Sequence, residues 1–404
     1  MSNLAAAKSD SKQKPLVRLM ASLRSTSFRH PEKNRAMSDY DQGADLSYVA
    51  TPASDNANQN SSPASFPVTL YPEIEPYQHG LLPVSDKHKI YYEQCGNPDG
   101  PLALLLHGGP GGGCSPRSRR FFDPSYYRIV CIDQRGCGRS IPNAGDDWEA
   151  ALEDNNTEAL VNDIEKLRLE LRGDYWQIIV GGSWGSTLTL AYCTAHPKRC
   201  RDIVLRGLFL FSPEEVDNLF QNGATSSQNP EAWENYTQFI VDTSSDIQAE
   251  CTNYLGAYNK RLRSTPQMRK AAASAFIGYE LSLSKTYVNP DKIETTLADP
   301  KALIPFALFE VVYMLNAGFM RRGQLLDDIH VLVEKRIRII HGRGDYVCLP
   351  KASHLLSKAL KKAGAKDVEL EFVAGAGHSD SEPGLVDAIV RATNECRERK
   401  EGVK

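Results

Sequence analysis

Gly181-Gly182-Ser183-Trp184-Gly185 lies between an apolar run, Gln177–Val180, and a stretch of helical pattern, Ser186–His196. A G-x-S-x-G pentapeptide is a weak signal by itself and a strong one between a buried strand and a helix. The glycines answer to crowding. A sharp strand-to-helix turn strains its central residue and brings neighbouring chain close, so Cβ atoms at 181 and 185 would clash. Such a turn lifts the Ser183 hydroxyl above the sheet edge. It also aims backbone N–H groups and a helix N-terminus at any oxyanion formed there. The competing reading is a Gly/Ser turn in some other α/β protein.

Outward from this turn, short apolar runs predict strands at Ile90–Cys95, Leu102–Leu106, Arg128–Asp133, Trp176–Gly181, Ile203–Arg206, Arg336–His341 and Val368–Val373. Each is too short for a helix, and most end in glycine-rich turns. Helical patterns lie between them. Leu160, Ile164, Leu167 and Leu171 form one stripe, and Thr187–His196 and Ala352–Lys362 each follow a strand. Strand alternating with helix predicts a mostly parallel sheet covered on both faces. Residues 212–326 break the rhythm with a helical, polar pattern and read as an insertion over the sheet. The expected organisation is an extension at 1–66, a core in two parts at 67–211 and 327–404, and a helical cap at 212–326.

Composition excludes several classes. A net charge of −3 over 404 residues lacks the basic excess that phosphate binding needs, so no nucleic-acid partner is expected. No run of about 18 apolar residues exists to span a membrane. The nine cysteines are scattered, without a CxxC pair or a Cys/His cluster, which argues against a disulfide framework or structural zinc and for a reducing compartment. A cytoplasmic location is therefore expected. The alternative is an organelle. Lys8, Lys12, Lys14, Arg18, Arg24 and Arg29 are interleaved with serine, and Leu16, Leu19, Met20 and Leu23 sit at helical spacing. That suits a transit peptide. The plainer reading, favoured by composition, is a polar extension with a chance amphipathic patch, too poor in apolar residues to fold.

A serine needs a base to be a good nucleophile. On a sheet with this elbow the acid and then the histidine follow later in the chain. Asp345, in Gly342-Arg343-Gly344-Asp345, follows one strand, and His378, in Gly375-Ala376-Gly377-His378, follows the next. Both fall on loops at strand C-terminal ends, where open α/β sheets bind ligands. His378 is expected to take the Ser183 proton and Asp345 to fix its tautomer. His330, His354, Asp328 and Asp367 sit in less favourable places. His107-Gly108-Gly109-Pro110-Gly111-Gly112-Gly113 follows the Leu102–Leu106 strand and fits neither a dinucleotide fingerprint nor a P-loop. It fits an oxyanion turn, with one N–H from Gly109 (Gly108 is the alternative) and the other from Trp184. His107 reads as a support for that loop, not as a catalyst.

His107–Gly113, Asp133–Ser140, Asn162–Arg168, Gly181–Ser186 and Leu205–Leu210 together resemble the proline iminopeptidase (prolyl aminopeptidase) family. The resemblance runs from about Leu70 to the C-terminal helix. It implies an α/β-hydrolase core with a helical cap. It also implies a serine exopeptidase that releases an N-terminal proline through an acyl-enzyme, acts on peptides with a free N-terminal proline, and needs no metal or organic cofactor. Such an enzyme must hold a free amine. The family does so with cap carboxylates, and the matching positions here are Glu280 and Glu310. The plain alternative is two solvated charges on cap helices.

The sequence departs from the family pattern inside the cap. Phe276 and Tyr279 replace tryptophans, and Val311 and Val312 replace an Asn-His pair. Those changes bear on pocket shape, and so on strictness toward proline. Phe209, Phe220 and Tyr279 are expected to line an apolar slot, although Phe209 suits a core role nearly as well. Cys348, close to Asp345 in sequence, either approaches the site or is an inert buried thiol. Two rival functions remain: a small-ester hydrolase or acyltransferase with the same triad, and a binding protein on the same fold without catalysis.

Overall fold

β3, Leu102–Leu106, is buried at every residue, and its side chains alternate between two apolar layers. Leu102, Leu104 and Leu106 face one layer and Ala103 and Leu105 the other, the two-residue period of a strand covered on both sides. A computed structural model describes residues 66–401, apart from 222, 290–292 and 295–296. The segment read as an extension or targeting peptide thus lies outside the described residues, except for Phe66.

Eight strands form one sheet: β1 (Gln78–Pro83), β2 (Lys89–Gly96), β3, β4 (Arg128–Asp133), β5 (Trp176–Gly182), β6 (Cys200–Arg206), β7 (Arg336–Gly342) and β8 (Val368–Val373). Their order is β1-β2-β4-β3-β5-β6-β7-β8. β2 runs antiparallel to both β1 and β4, and the remaining pairs are parallel. All seven expected strands are present. β1 was not anticipated, because an edge strand of sequence QHGLLP is mostly exposed and carries little apolar alternation.

The sheet is sandwiched. One layer contains α1 (Thr157–Glu170), α2 (Trp184–Ala195) and α8 (Pro350–Lys362); the other contains α9 (Pro383–Glu401) and the turn Pro116–Phe121. Asn156 starts α1 by accepting the Ala159 N–H at 2.9 Å. Register sets the functional edge. Leu106 lies opposite Gly181, Gly182 opposite Arg206, and Arg206 opposite Ile340. The loops leaving β3, β5, β6 and β7 therefore emerge side by side.

Between β6 and β7 the chain forms helices that include α3 (Pro213–Phe220), α4 (Pro230–Thr243), α5 (Tyr254–Leu262), α6 (Pro266–Leu283) and α7 (Pro300–Leu315). The polar character expected of this insertion fails at α7. Phe309, Val311, Val312 and Met314 are all buried, so the helix is apolar nearly all round. The reason is its place: α7 packs against α5 and α6 on one side and the core loops on the other. A side chain at Gly111 would strike the Pro305 carbonyl, and one at Gly136 the Phe309 ring. Among the described residues no single helix is both long and apolar enough to cross a membrane.

Candidate active site

Ser183 sits between β5 and α2 with φ 58° and ψ −127°, a conformation that costs a non-glycine residue about 1–3 kcal/mol. Its surroundings hold it there. Its N–H donates to the Arg206 carbonyl at 2.8 Å, and its own carbonyl accepts from the Ser186 N–H and hydroxyl at 2.8 and 2.6 Å. The crowding inferred at 181 and 185 is present. A Cβ on Gly185 would lie 2.1 Å from the Leu106 oxygen, and one on Gly181 2.2 Å from the Gly185 oxygen. Both obstacles are backbone, so neither can swing aside. Gly185→Ala is expected to cost about 3 kcal/mol in a denaturant titration. A loss within error would mean that the elbow is looser than drawn.

Asp345 and His378 meet although 33 residues separate them. His378 Nδ1 lies 2.7 Å from Asp345 Oδ2. That contact places the ring proton on Nδ1 and leaves Nε2 as an acceptor. The other carboxylate oxygen, Oδ1, accepts the Val347 and Cys348 N–H groups at 3.0 and 2.8 Å. Burial pushes the Asp345 carboxyl up, but the His378 and His341 rings outweigh it and hold the group well below the usual carboxylate range. His341, which sequence reasoning passed over, is wholly buried, with Nε2 2.7 Å from the Cys348 carbonyl and 3.3 Å from Asp345 Oδ2. It pins the loop that carries the acid. The cap holds the histidine loop, because the N–H groups of His378 and Ser379 both donate to the Ser284 carbonyl at the end of α6.

Ser183 and His378 are not joined by a hydrogen bond among the described residues. Arg206, a second residue the sequence did not single out, approaches His378 instead. Its Nη1 donates to the His378 carbonyl at 3.0 Å and lies 3.3 Å from Nε2. Its guanidinium lies across Gly182, where a Cβ would come within 2.3 Å of it. Serine-to-histidine contacts are often long in empty sites and shorten when substrate binds.

The glycine turn reaches the same place. Gly109, Ser183, Trp184 and Glu310 line one small cavity, together with Phe209, Phe211, Leu219, Met314, Val347 and Cys348. Trp184 is the first residue of α2, so its N–H has no intrahelical partner. Gly108 packs beneath Ser183, where a Cβ would come within 3.1 Å of the serine Cβ. His107 is buried, which pushes its imidazole down toward the neutral form, and it bonds to loop backbone.

The two cap glutamates face inward. Glu280 on α6 and Glu310 on α7 are 7% and 2% exposed, and the Oε2 atom of each has no partner. Burial raises both carboxyls. Glu310, which feels the charge of Glu280, is pushed well above the usual range, whereas contact with Glu310 and the charge of His378 moderate the rise at Glu280. These are not solvated charges.

The aromatic candidates separate. Phe209 borders the cavity and packs edge-on against Phe211. Phe220 and Tyr279 are not brought to it. Phe220 stacks on Phe276, and Tyr279 stacks on Tyr236 with its hydroxyl on the Leu219 carbonyl, so both belong to the cap's aromatic core and back the wall that Leu219 presents. Leu219 and Met314 were missed because only the cap's packing brings them in, and Phe211 because it arrives on the irregular turn after β6. Cys348 does border the cavity, with its thiol pushed up by burial and by Asp345. A bulky organomercurial is expected to inhibit by filling this space, and Cys348→Ser to remove that inhibition. Equal inhibition of the serine variant would place the reactive thiol elsewhere.

Comparison with known proteins agrees with this architecture. The family described as alpha/beta hydrolase fold matches residues 101–384. The chain is 43% identical over 328 residues to the proline iminopeptidase of Xylella fastidiosa (strain Temecula1), covering 81% of this chain and 98% of that one. It is 41% identical over 331 residues to the proline iminopeptidase of Arabidopsis thaliana, covering 81% and 82%. Among solved structures, an esterase from Exiguobacterium antarcticum superposes with a TM-score of 0.50 at 16% identity, over 78% of this chain and 98% of that one, a likeness of fold.

Proposed function

The chain belongs to the proline iminopeptidase family of α/β-hydrolases, and on that premise we propose that it releases N-terminal proline from peptides through Ser183, His378 and Asp345. In this reading Ser183 Oγ attacks the carbonyl carbon of residue one while its proton passes to His378 Nε2. The Gly109 and Trp184 N–H groups hold the oxyanion, each contributing about 2.7–4 kcal/mol to the transition state. Collapse of the tetrahedral species breaks the C–N bond, and His378 gives its proton to the departing amine. Water then enters along the same path and frees proline. Asp345, held by three donors with His341 beside it, keeps the imidazole in the tautomer that both steps need.

The observation that carries the exopeptidase reading is the buried pair Glu280 and Glu310, each with an unpartnered oxygen. Two buried carboxylates without a cation are costly, and a protonated N-terminal imino group entering the cavity that Glu310 borders would supply one. Phe209, Phe211, Leu219 and Met314 would flank its ring. The test is a set of prolyl amides and esters with free and acetylated nitrogen. Free-amine substrates should turn over and acetylated ones should not. Rapid hydrolysis of acyl esters that carry no amine would favour a general esterase instead.

A further inference from the structure

We propose that Gln134 is a positioning residue that aligns both oxyanion donors, tying the His107 turn to the first residue of α2. This rests on the reading of Gly109 and Trp184 as those donors. Gln134 is 3% exposed and uses its side chain in two directions. Its Nε2 donates to the His107 carbonyl at 3.0 Å, and its Oε1 accepts the Trp184 indole N–H at 2.7 Å. One amide thus spans the loop after β3 and the start of α2.

Its backbone completes the device. The Gln134 N–H donates to His107 Nε2 at 3.0 Å, and a backbone N–H can only donate. At the other side of the ring, His107 Nδ1 lies 2.8 Å from the Gly108 carbonyl and 3.1 Å from the Gly113 nitrogen, so the imidazole held by Gln134 is wedged against the backbone of its own glycine turn. The Gly112 N–H holds that same carbonyl at 3.2 Å. In a planar trans peptide the Gly108 oxygen and the Gly109 N–H point in opposite directions. Fixing the first fixes the second, and Gly109 lies on the cavity that Ser183 shares. Gln134 touches neither the nucleophile nor the cavity. Its effect must therefore show in the transition state and not in ground-state binding.

The test uses Gln134→Met, similar in length but without the amide, and Trp184→Phe, which cuts only the indole arm and keeps the backbone N–H. A fluorophosphonate probe reads nucleophile and oxyanion donors together, because its P=O oxygen must enter the donors as Ser183 displaces fluoride. Labelling of Ser183 in Gln134→Met is expected to slow about 10- to 100-fold, and in Trp184→Phe by a smaller factor. Affinity for L-proline should stay within about twofold of wild type, as uniform binding is untouched. Wild-type labelling rates in the folded variants, or proline affinity falling in step with labelling, would overturn the proposal. Should Gln134→Met not fold, Trp184→Phe decides by the same two readings. The probe needs no N-terminal proline. An enzyme that labels but ignores prolyl amides would refute the substrate assignment while still reporting on Gln134.

Discussion

Ser183→Ala is expected to lower kcat on a free-amine prolyl anilide by about 10⁴-fold or more, and to do so without loss of stability. The second half follows from the backbone. Ser183 holds φ 58° and ψ −127°, and alanine carries the same Cβ and meets the same strain. Glycine does not, so Ser183→Gly should be as inactive and more stable, by about 1 kcal/mol. Asp345→Asn should lose a comparable factor of about 10⁴ for a different reason. An amide nitrogen facing His378 Nδ1 would push the ring proton to Nε2, where it blocks acceptance from serine. The double variant should be little worse than either single one, because residues that act as a unit are not additive. Activity of Ser183→Ala above a few per cent of wild type would remove the nucleophile from position 183. Single-turnover kinetics would separate that outcome from contaminating activity.

The parts legible in the sequence were those where local chain geometry dictates residue type. The elbow at 181–185 and the strands on either side depend on crowding and on two-sided burial, and both leave marks within a few residues. The meeting of Asp345 with His378 was legible because each follows its own strand. What the sequence could not give was whatever depends on the cap's docking. Phe220 and Tyr279 are aromatic, near the right segments, and turned into the cap's own core, because Phe276, Tyr236 and the Leu219 carbonyl satisfy them there. Phe211 and Met314 stand at the cavity instead, brought by the turn after β6 and by α7. Arg206 and His341 were missed for another reason. Each lies within or at the end of a strand that reads as core, and only the register of β6 and β7 shows that their side chains reach His378 and Asp345.

Glu310→Gln should show the price of amine recognition in stability. Glu310 is 2% exposed, its Oε2 has no partner, and burial together with Glu280 drives its carboxyl well above the ordinary range. Its folded pKa is thus raised over the unfolded value. The folded state holds the proton more tightly, so this contribution to stability is complete below the unfolded value and is lost as pH rises through the folded one. A glutamine at 310 cannot ionise and escapes that loss. The variant should therefore gain on wild type as pH rises, by about 1 kcal/mol, or roughly 2–4 °C in Tm, toward pH 8. The same change should raise KM for free-amine prolyl substrates about 100-fold, with kcat reduced far less. Substrate binding links the two effects. An ammonium arriving between Glu280 and Glu310 favours the ionised pair and expels a proton, so titration calorimetry of a prolyl peptide into Ser183→Ala, in buffers of different ionisation heat, should report proton release. That release should fall in the double variant Ser183→Ala with Glu310→Gln. A Glu310→Gln enzyme with unchanged KM and an unchanged pH–stability curve would mean that the carboxylate neither meets the substrate nor titrates in the range where the enzyme works.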